Sequence, residues 1–143
     1  MPLDLINESG LEIDSKIFET VLDLLKEAAF LDKEKEICLQ LCADNTIKDF
    51  NKKYRGKNSL TDVLSFPNDF KDIPFLGDIM IDVNIADNQK EDRSLNQELA
   101  VLFLHGVLHL LGYDHININD KKKMGELENR FIPDILDKIK GVR

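Results

Sequence analysis

The segment from Ser94 to Gly112, SLNQELAVLFLHGVLHLLG, constrains the fold more than any other part of the sequence. Ser94 followed by Gln97 matches a capping box, and Gly112 is the residue type that often ends a helix in the left-handed conformation. Between these two ends the helix is apolar on nearly all sides, which is typical of a buried helix. We therefore expect this segment to form the central helix of the fold.

The remaining periodic segments predict an α+β fold. Four segments are predicted to be strands: LDLIN, EICLQLCA, TDVLSFP and LGDIMIDVNIA. Further helices are predicted in DSKIFETVLDLLKEAAF, DNTIKDFNKKY, NDKKKMGELENRF and PDILDKIK. The last two segments form one or two closing helices, with Pro133 at a break or at the first turn of a helix. We expect a small mixed sheet of about four strands packed against helices, with the central helix placed as in zincin-like folds.

Length and composition are those of one globular domain spanning residues 1–143. No repeat, linker or low-complexity tract divides the chain. No apolar run approaches the ~20 residues of a membrane helix, and the first ten residues lack the pattern of a secretory signal. We therefore expect a cytoplasmic protein with no membrane partner.

Two cysteines, Cys38 and Cys42, lie in one predicted strand. Four residues along a strand span roughly 13 Å, which exceeds the ~7 Å between Cα atoms that a disulfide allows. Both are expected to be free thiols in the core.

The charge of the chain is unevenly distributed. The net charge is −8, which argues against a nucleic-acid partner, yet residues 48–57, KDFNKKYRGK, carry five basic residues against Asp49 alone. This segment has a net charge of +4 and leaves −12 for the rest of the chain. From charge alone a solvated helix end with a basic loop is the simpler interpretation, and a small basic patch on an acidic body is the alternative.

The three histidines of the chain all lie within the eleven residues HGVLHLLGYDH. His105 and His109 are four residues apart and share one helix face, and the turn at Gly112 can bring His115 back to that face. A single histidine on an apolar face is more often a core residue than a ligand, but three in this pattern favour a metal site. Imidazole suits zinc and related first-row metals, and three protein ligands leave a position open, as in catalytic sites.

The histidine spacing matches that of the metzincin proteases, H-E-x-x-H-x-x-G-x-x-H, with one difference. Gly106 replaces the glutamate that serves those enzymes as general base, which argues against a peptidase. A glycine inside a helix costs about 1 kcal/mol relative to alanine. We expect it to leave room for substrate or for a neighbouring backbone against the metal.

Three motifs together resemble the bacterial YbeY family of metal-dependent, single-strand-specific endoribonucleases that act in ribosomal RNA maturation. They are HGVLHLLGYDH, YRGKNSLTDVLSFP at residues 54–67, and LGDIMI at residues 76–81, in the family's order and spacing. The resemblance extends over most of the chain. Leu60 departs from it, because this position is often proline in the family.

The resemblance implies roles for particular residues. It implies one zinc ion per chain, although other first-row divalent metals are possible, with the ligands His105, His109 and His115. It also implies that Arg55 and His105 are catalytic and that Arg55, Lys52 and Lys53 bind substrate. A guanidinium suits phosphate oxygens, although a lone arginine would more simply form a surface salt bridge.

Several other polar residues of the motifs have open roles. Asp114 could orient a histidine or cap the turn after Gly112. Asp62, Ser65 and Asp78 are expected to bind backbone or to line the cleft. Tyr113 could stack on a base, but packing is the simpler expectation.

The function implied is a zinc-dependent endoribonuclease that processes the 3′ end of small-subunit ribosomal RNA and acts in ribosome assembly and quality control. The expected partners are single-stranded RNA, ribosomal RNA and proteins of the small subunit. One alternative is a non-catalytic ribosome assembly factor with a structural metal, and a weaker one is a metallopeptidase. The sequence does not separate the nuclease from the assembly factor.

Overall fold

The computed structural model describes residues 3–32, 34–43, 63–68, 73–113 and 118–139. Within these ranges the elements follow in this order: β1 (Leu3–Asn7), α1 (Lys16–Glu27), β2 (Glu36–Cys42), β3 (Val63–Pro67), β4 (Phe75–Asp82), α2 (Val83–Gln89), α3 (Leu95–Leu110) and α4 (Ile118–Ile139). The expected α+β architecture with a four-stranded mixed sheet is confirmed. The helix predicted in DNTIKDFNKKY lies outside the described residues.

The sheet has the strand order β1-β2-β4-β3. β1, β2 and β4 are parallel, and β3 pairs antiparallel with β4 at the edge. The inward face carries the apolar residues of the three parallel strands, and five of them are almost wholly inaccessible to solvent: Ile37, Leu39, Leu41, Ile79 and Ile81. This face supplies the surface on which α3 packs.

α3 is the central helix that the sequence predicts. Ser94 Oγ accepts a hydrogen bond from Gln97 N at 3.1 Å, and Gln97 Oε1 accepts one from Ser94 N at 2.9 Å, so the capping box is formed. Gly112 follows the helix with a φ of 103°, as expected of a left-handed residue at a helix end. Of the 16 residues in α3, 11 are buried. The helix contacts α1, α2, α4, β3 and β4, so it is covered on several sides.

Two glycines lie at close contacts between α3 and the sheet. Gly106 packs against Ser65 of β3 and Ile79 of β4, which lie opposite each other in the sheet. Ser65 Oγ donates a hydrogen bond to the Gly106 carbonyl oxygen at 3.2 Å. A Cβ at Gly106 would lie 3.0 Å from Ile79 Cδ1 and Cγ2. A Cβ at Gly77 in β4, where φ is 154°, would lie 2.7 Å from Leu110 Cδ2. The expectation that Gly106 leaves room at a metal is therefore wrong, since that space faces Ile79 of the sheet.

Two segments differ from the sequence prediction. The alternation in LGDIMIDVNIA predicts a strand to residue 86, but β4 ends at Asp82, and Val83 begins α2. Asp82 Oδ1 accepts a hydrogen bond from Ile85 N at 3.1 Å, so this carboxylate caps the helix and ends the strand. The closing segment forms one continuous helix, α4, through Pro133. Pro133 and Asn129 are both exposed, so the hydrogen bond that proline cannot donate is lost on the solvent-facing side of α4.

No helix within the described part of the chain is long and apolar enough to cross a membrane.

Gly106 and Gly125 offer a matched test of this packing. Both are inside helices, but a Cβ at Gly125 in α4 would meet no atom within 4 Å. We expect Gly125→Ala to raise the free energy of unfolding by about 0.5 to 1 kcal/mol through helix propensity. Gly106→Ala should lower it by about 1 kcal/mol, because Ile79 is fully buried and overpacking outweighs the propensity gain.

Urea unfolding of the two variants beside the unaltered protein measures both effects. Stabilisation by Gly106→Ala of the same size as by Gly125→Ala would contradict the close contact between α3 and β4.

Candidate metal centre

His105 and His109 lie on one face of the last two turns of α3, and both side chains are partly buried. Their Nε2 atoms are 3.1 Å apart. The ring centroids are separated by 4.7 Å and the ring planes are inclined at 70°. The helical spacing seen in the sequence thus brings two imidazole nitrogens to one point.

The chemistry of this pair fits a metal ion. Two nitrogens at this distance either share a proton or both direct their lone pairs at a cation. Zinc–nitrogen bonds of about 2.0–2.1 Å in tetrahedral geometry place two ligand nitrogens about 3.3 Å apart. The observed separation of 3.1 Å is close to that value, so the spacing of the two nitrogens is compatible with a shared ion.

Glu128 of α4 completes the described part of this site. Its Oε1 lies 3.0 Å from His105 Nδ1. A carboxylate accepts hydrogen bonds, so this one is donated by Nδ1–H of His105, which leaves Nε2 as the ring nitrogen that could bind a metal. This is the arrangement in which an outer carboxylate orients a metal-binding histidine. Sequence reasoning did not identify Glu128, because only the packing of α4 on α3 brings residue 128 to residue 105.

The remaining predicted site residues lie outside the described part of the chain. These residues are Arg55, Lys52, Lys53 and His115. Among the residues that are described, no group of three histidine, cysteine, aspartate or glutamate side chains could hold a metal. The structure thus shows two of the three predicted ligands together, and the third ligand stays a prediction.

The polar residues of the motifs have separate roles. Ser65 binds backbone, as expected, through its hydrogen bond to Gly106. Asp78 lies opposite Cys38 in the parallel pairing of β2 and β4, and it is one of the groups that raise the pKa of that thiol. Tyr113 packs against the core, as expected, and Lys123 Nζ lies 5.7 Å from its ring centroid. Asp62 and Asp114 lie outside the described residues.

The cysteines are free thiols and belong to the sheet. Burial, followed by the charges of Asp78 and Asp4, raises the pKa of Cys38 to about 11. Burial, followed by the charges of Asp82 and Glu8, raises the pKa of Cys42 to about 12. Without a bound metal, both thiols therefore stay protonated at neutral pH. The expectation of unpaired thiols is confirmed, with Cys42 buried and Cys38 only partly so.

Comparison with known proteins identifies the family. The family model described as "Endoribonuclease YbeY" matches residues 6–136. Proteins named endoribonuclease YbeY from Ureaplasma parvum and Helicobacter pylori are each 38% identical to this chain. The alignments cover 90% of this chain and 83% of the Ureaplasma protein, and 88% of this chain and 87% of the Helicobacter protein.

A solved structure has a similar fold. The solution structure of TM1509 from Thermotoga maritima is similar to this fold, with a TM-score of 0.64 and 26% sequence identity. The match covers 96% of this chain and 91% of that one. The resemblance carried by the three sequence motifs is thus confirmed, and the chain belongs to the endoribonuclease YbeY family.

Proposed function

We propose that the protein is a metal-dependent endoribonuclease that cleaves single-stranded RNA and acts in ribosomal RNA maturation. The observation that carries this proposal is the convergence of His105 Nε2 and His109 Nε2 at 3.1 Å, with Glu128 bound to the far side of the His105 ring. The names of the relatives support the endoribonuclease activity. The metal dependence rests on the chemistry of the imidazole pair.

His105, His109 and His115 would hold the ion, with zinc as the first candidate. When bound, zinc supplies Lewis acidity and a water that ionises near neutral pH. The residues of the chain then have two tasks: to hold the ligand rings in the correct orientation and to bind the phosphodiester. The first task belongs to α3 and Glu128, because both rings lie on one rigid helix.

Arg55 is the residue that we assign to the phosphodiester. It lies in the segment between β2 and β3, in the most basic part of the sequence. Its guanidinium can donate paired hydrogen bonds to phosphate oxygens and can stabilise the charge that develops on them. Lys52 and Lys53 lie beside it and would guide the RNA strand, while the acidic remainder of the chain repels RNA elsewhere.

Small-subunit ribosomal RNA, with processing at its 3′ end, is the substrate that we propose in the cytoplasm. Proteins of the small subunit would then be partners in assembly and quality control. The chain has a net charge of −8 and only one short basic segment, which favours selection of RNA by such a ribosomal context over tight binding by the protein alone. A ribosome assembly factor with a structural metal is the second candidate.

Cleavage of a defined single-stranded RNA by metal-loaded and metal-stripped protein tests the proposed activity. We expect chelation to reduce the cleavage rate by roughly 100-fold or more and added zinc to restore it, because the proposed reaction depends on the ion. His109→Ala should reduce the rate similarly and should lower the bound metal measured by mass spectrometry. Cleavage that survives both changes would refute the metal-dependent mechanism, and metal binding without any cleavage would favour the assembly factor.

Arg55→Ala tests the phosphate contact. We expect kcat to fall by roughly 100-fold, the usual cost of removing one donor to the transition-state charge, with fold and metal content unchanged. Arg130→Ala is the matched control, because it removes an exposed guanidinium from α4. Equal kcat values for the Arg55 and Arg130 variants would show that Arg55 takes no part in the reaction.

Lys52→Glu with Lys53→Glu tests the path of the RNA. RNA binding should be lost with zinc content unchanged, and for the unaltered protein log Kd should rise with log salt by about 0.7 per phosphate contact. Lys121→Glu with Lys122→Glu makes the same change of charge at two exposed lysines of α4 and should leave most of the binding intact. If the α4 pair instead abolishes binding and the first pair does not, the RNA follows α4.

A further inference from the structure

We infer that Glu128 is a positioning residue of the metal centre, because its carboxylate selects the Nδ1–H tautomer of His105 and so presents the Nε2 lone pair to a metal. The inference rests on the proposed metal site and adds to it a residue outside the histidine motif. Glu128 is assigned no contact with the ion or the RNA. Its effect passes through His105.

The geometry leaves one direction for this hydrogen bond. His105 Nδ1 and Glu128 Oε1 are 3.0 Å apart, and the two side chains are 27% and 25% exposed. An ionised carboxylate has no proton to donate, so the donor is Nδ1–H. In water, a neutral imidazole side chain favours the other tautomer, with the proton on Nε2. Glu128 therefore shifts His105 towards the form that can bind a metal through Nε2.

The carboxylate is held in place by the core. Met124, Leu127 and Phe131 of α4 are buried and belong to the same hydrophobic cluster as α3. These anchors fix the turn of α4 that carries Glu128 and set its distance from α3. Glu126, two residues before it, is exposed. Glu126 and Glu128 are both acidic, so Glu128 differs from Glu126 through its position on the helix, which places it beside His105.

The two histidines are consequently not equivalent. With Nε2 of His105 unprotonated, any hydrogen bond between the two Nε2 atoms, which are 3.1 Å apart, has to be donated by His109 Nε2–H. His105 is already in the ligand tautomer, whereas His109 must transfer its proton to Nδ1 before it can bind through Nε2. Removing the Glu128 carboxylate should make His105 similar to His109 in this respect.

Nitrogen-15 NMR of the imidazole rings in metal-free protein tests the inference directly, at a pH where both rings are neutral. We expect His105 as the Nδ1–H tautomer and His109 as the Nε2–H tautomer in the unaltered protein. In Glu128→Ala, His105 should shift towards Nε2–H, whereas in Glu128→Gln the amide oxygen can still accept from Nδ1–H and should preserve the tautomer. An unchanged His105 tautomer in Glu128→Ala would overturn the inference.

Metal affinity provides the second measurement, with Zn²⁺ and Co²⁺ as probes. Glu128→Ala should raise the Kd for each ion by roughly 10- to 100-fold, and Glu128→Gln should raise it less. The visible spectrum of the Co²⁺ protein should change in Glu128→Ala. Glu126→Ala is the charge-matched control and should leave Kd and spectrum unchanged. If both the Glu126 and the Glu128 variants lost the same amount of metal affinity, the loss would come from the change in overall charge, and the positioning role would be overturned.

These measurements separate the two proposals. If the unaltered protein binds neither ion, the proposed metal site fails, while the tautomer measured in metal-free protein still decides the role of Glu128. If the ions bind with high affinity and His105 keeps its tautomer without Glu128, the metal site stands and the positioning role fails.

Discussion

The contact of α3 with β4 at Gly106 and Ile79 is the interaction on which the site depends. α3 is apolar on most sides, so its burial is strongly favourable, but burial alone does not fix its height above the sheet or its rotation. The missing Cβ of Gly106 lets the helix approach Ile79 directly, and the Ser65 hydrogen bond to the Gly106 carbonyl sets the rotation. Successive residues of an α-helix are rotated by about 100° around its axis. With Gly106 directed at the sheet, His105 and His109 therefore lie on a different face of α3, the face that meets α4.

The parts of the fold that were predicted from sequence are those that local interactions determine. The capping box at Ser94 marks the start of α3 and the left-handed Gly112 marks its end. Each signal lies within a few residues of the helix end that it determines. The end of β4 was missed because Asp82 stands in an alternating pattern that favours a strand, while its side chain caps α2. Two local signals compete there, and packing of Val83 and Ala86 in the core favours the helix.

The same distinction applies to the metal centre. The i, i+4 spacing of His105 and His109 predicts a shared face, because that relation exists within one helix. Glu128 is 23 residues away along the chain, and its distance to His105 depends on how α4 packs against α3. For Gly106 the sequence suggested a role that the structure does not show. Its position in the motif suggests a role at the metal, but its neighbour in space belongs to the sheet. A histidine motif therefore reveals ligands more readily than the groups that orient them.

The packing at Gly106 also limits which chemistry this fold can perform. In the metzincin pattern a glutamate follows the first histidine, but here a side chain at that position would point at Ile79, which is fully buried. A carboxylate there would be desolvated among apolar neighbours, at a cost of several kcal/mol unless it were protonated or paired. The central helix thus presents two histidines on one face but has no room for a general base at position 106. Any further acid, base or phosphate-binding group must come from other elements, and Arg55, in the basic segment between β2 and β3, is the residue that we propose for the phosphate.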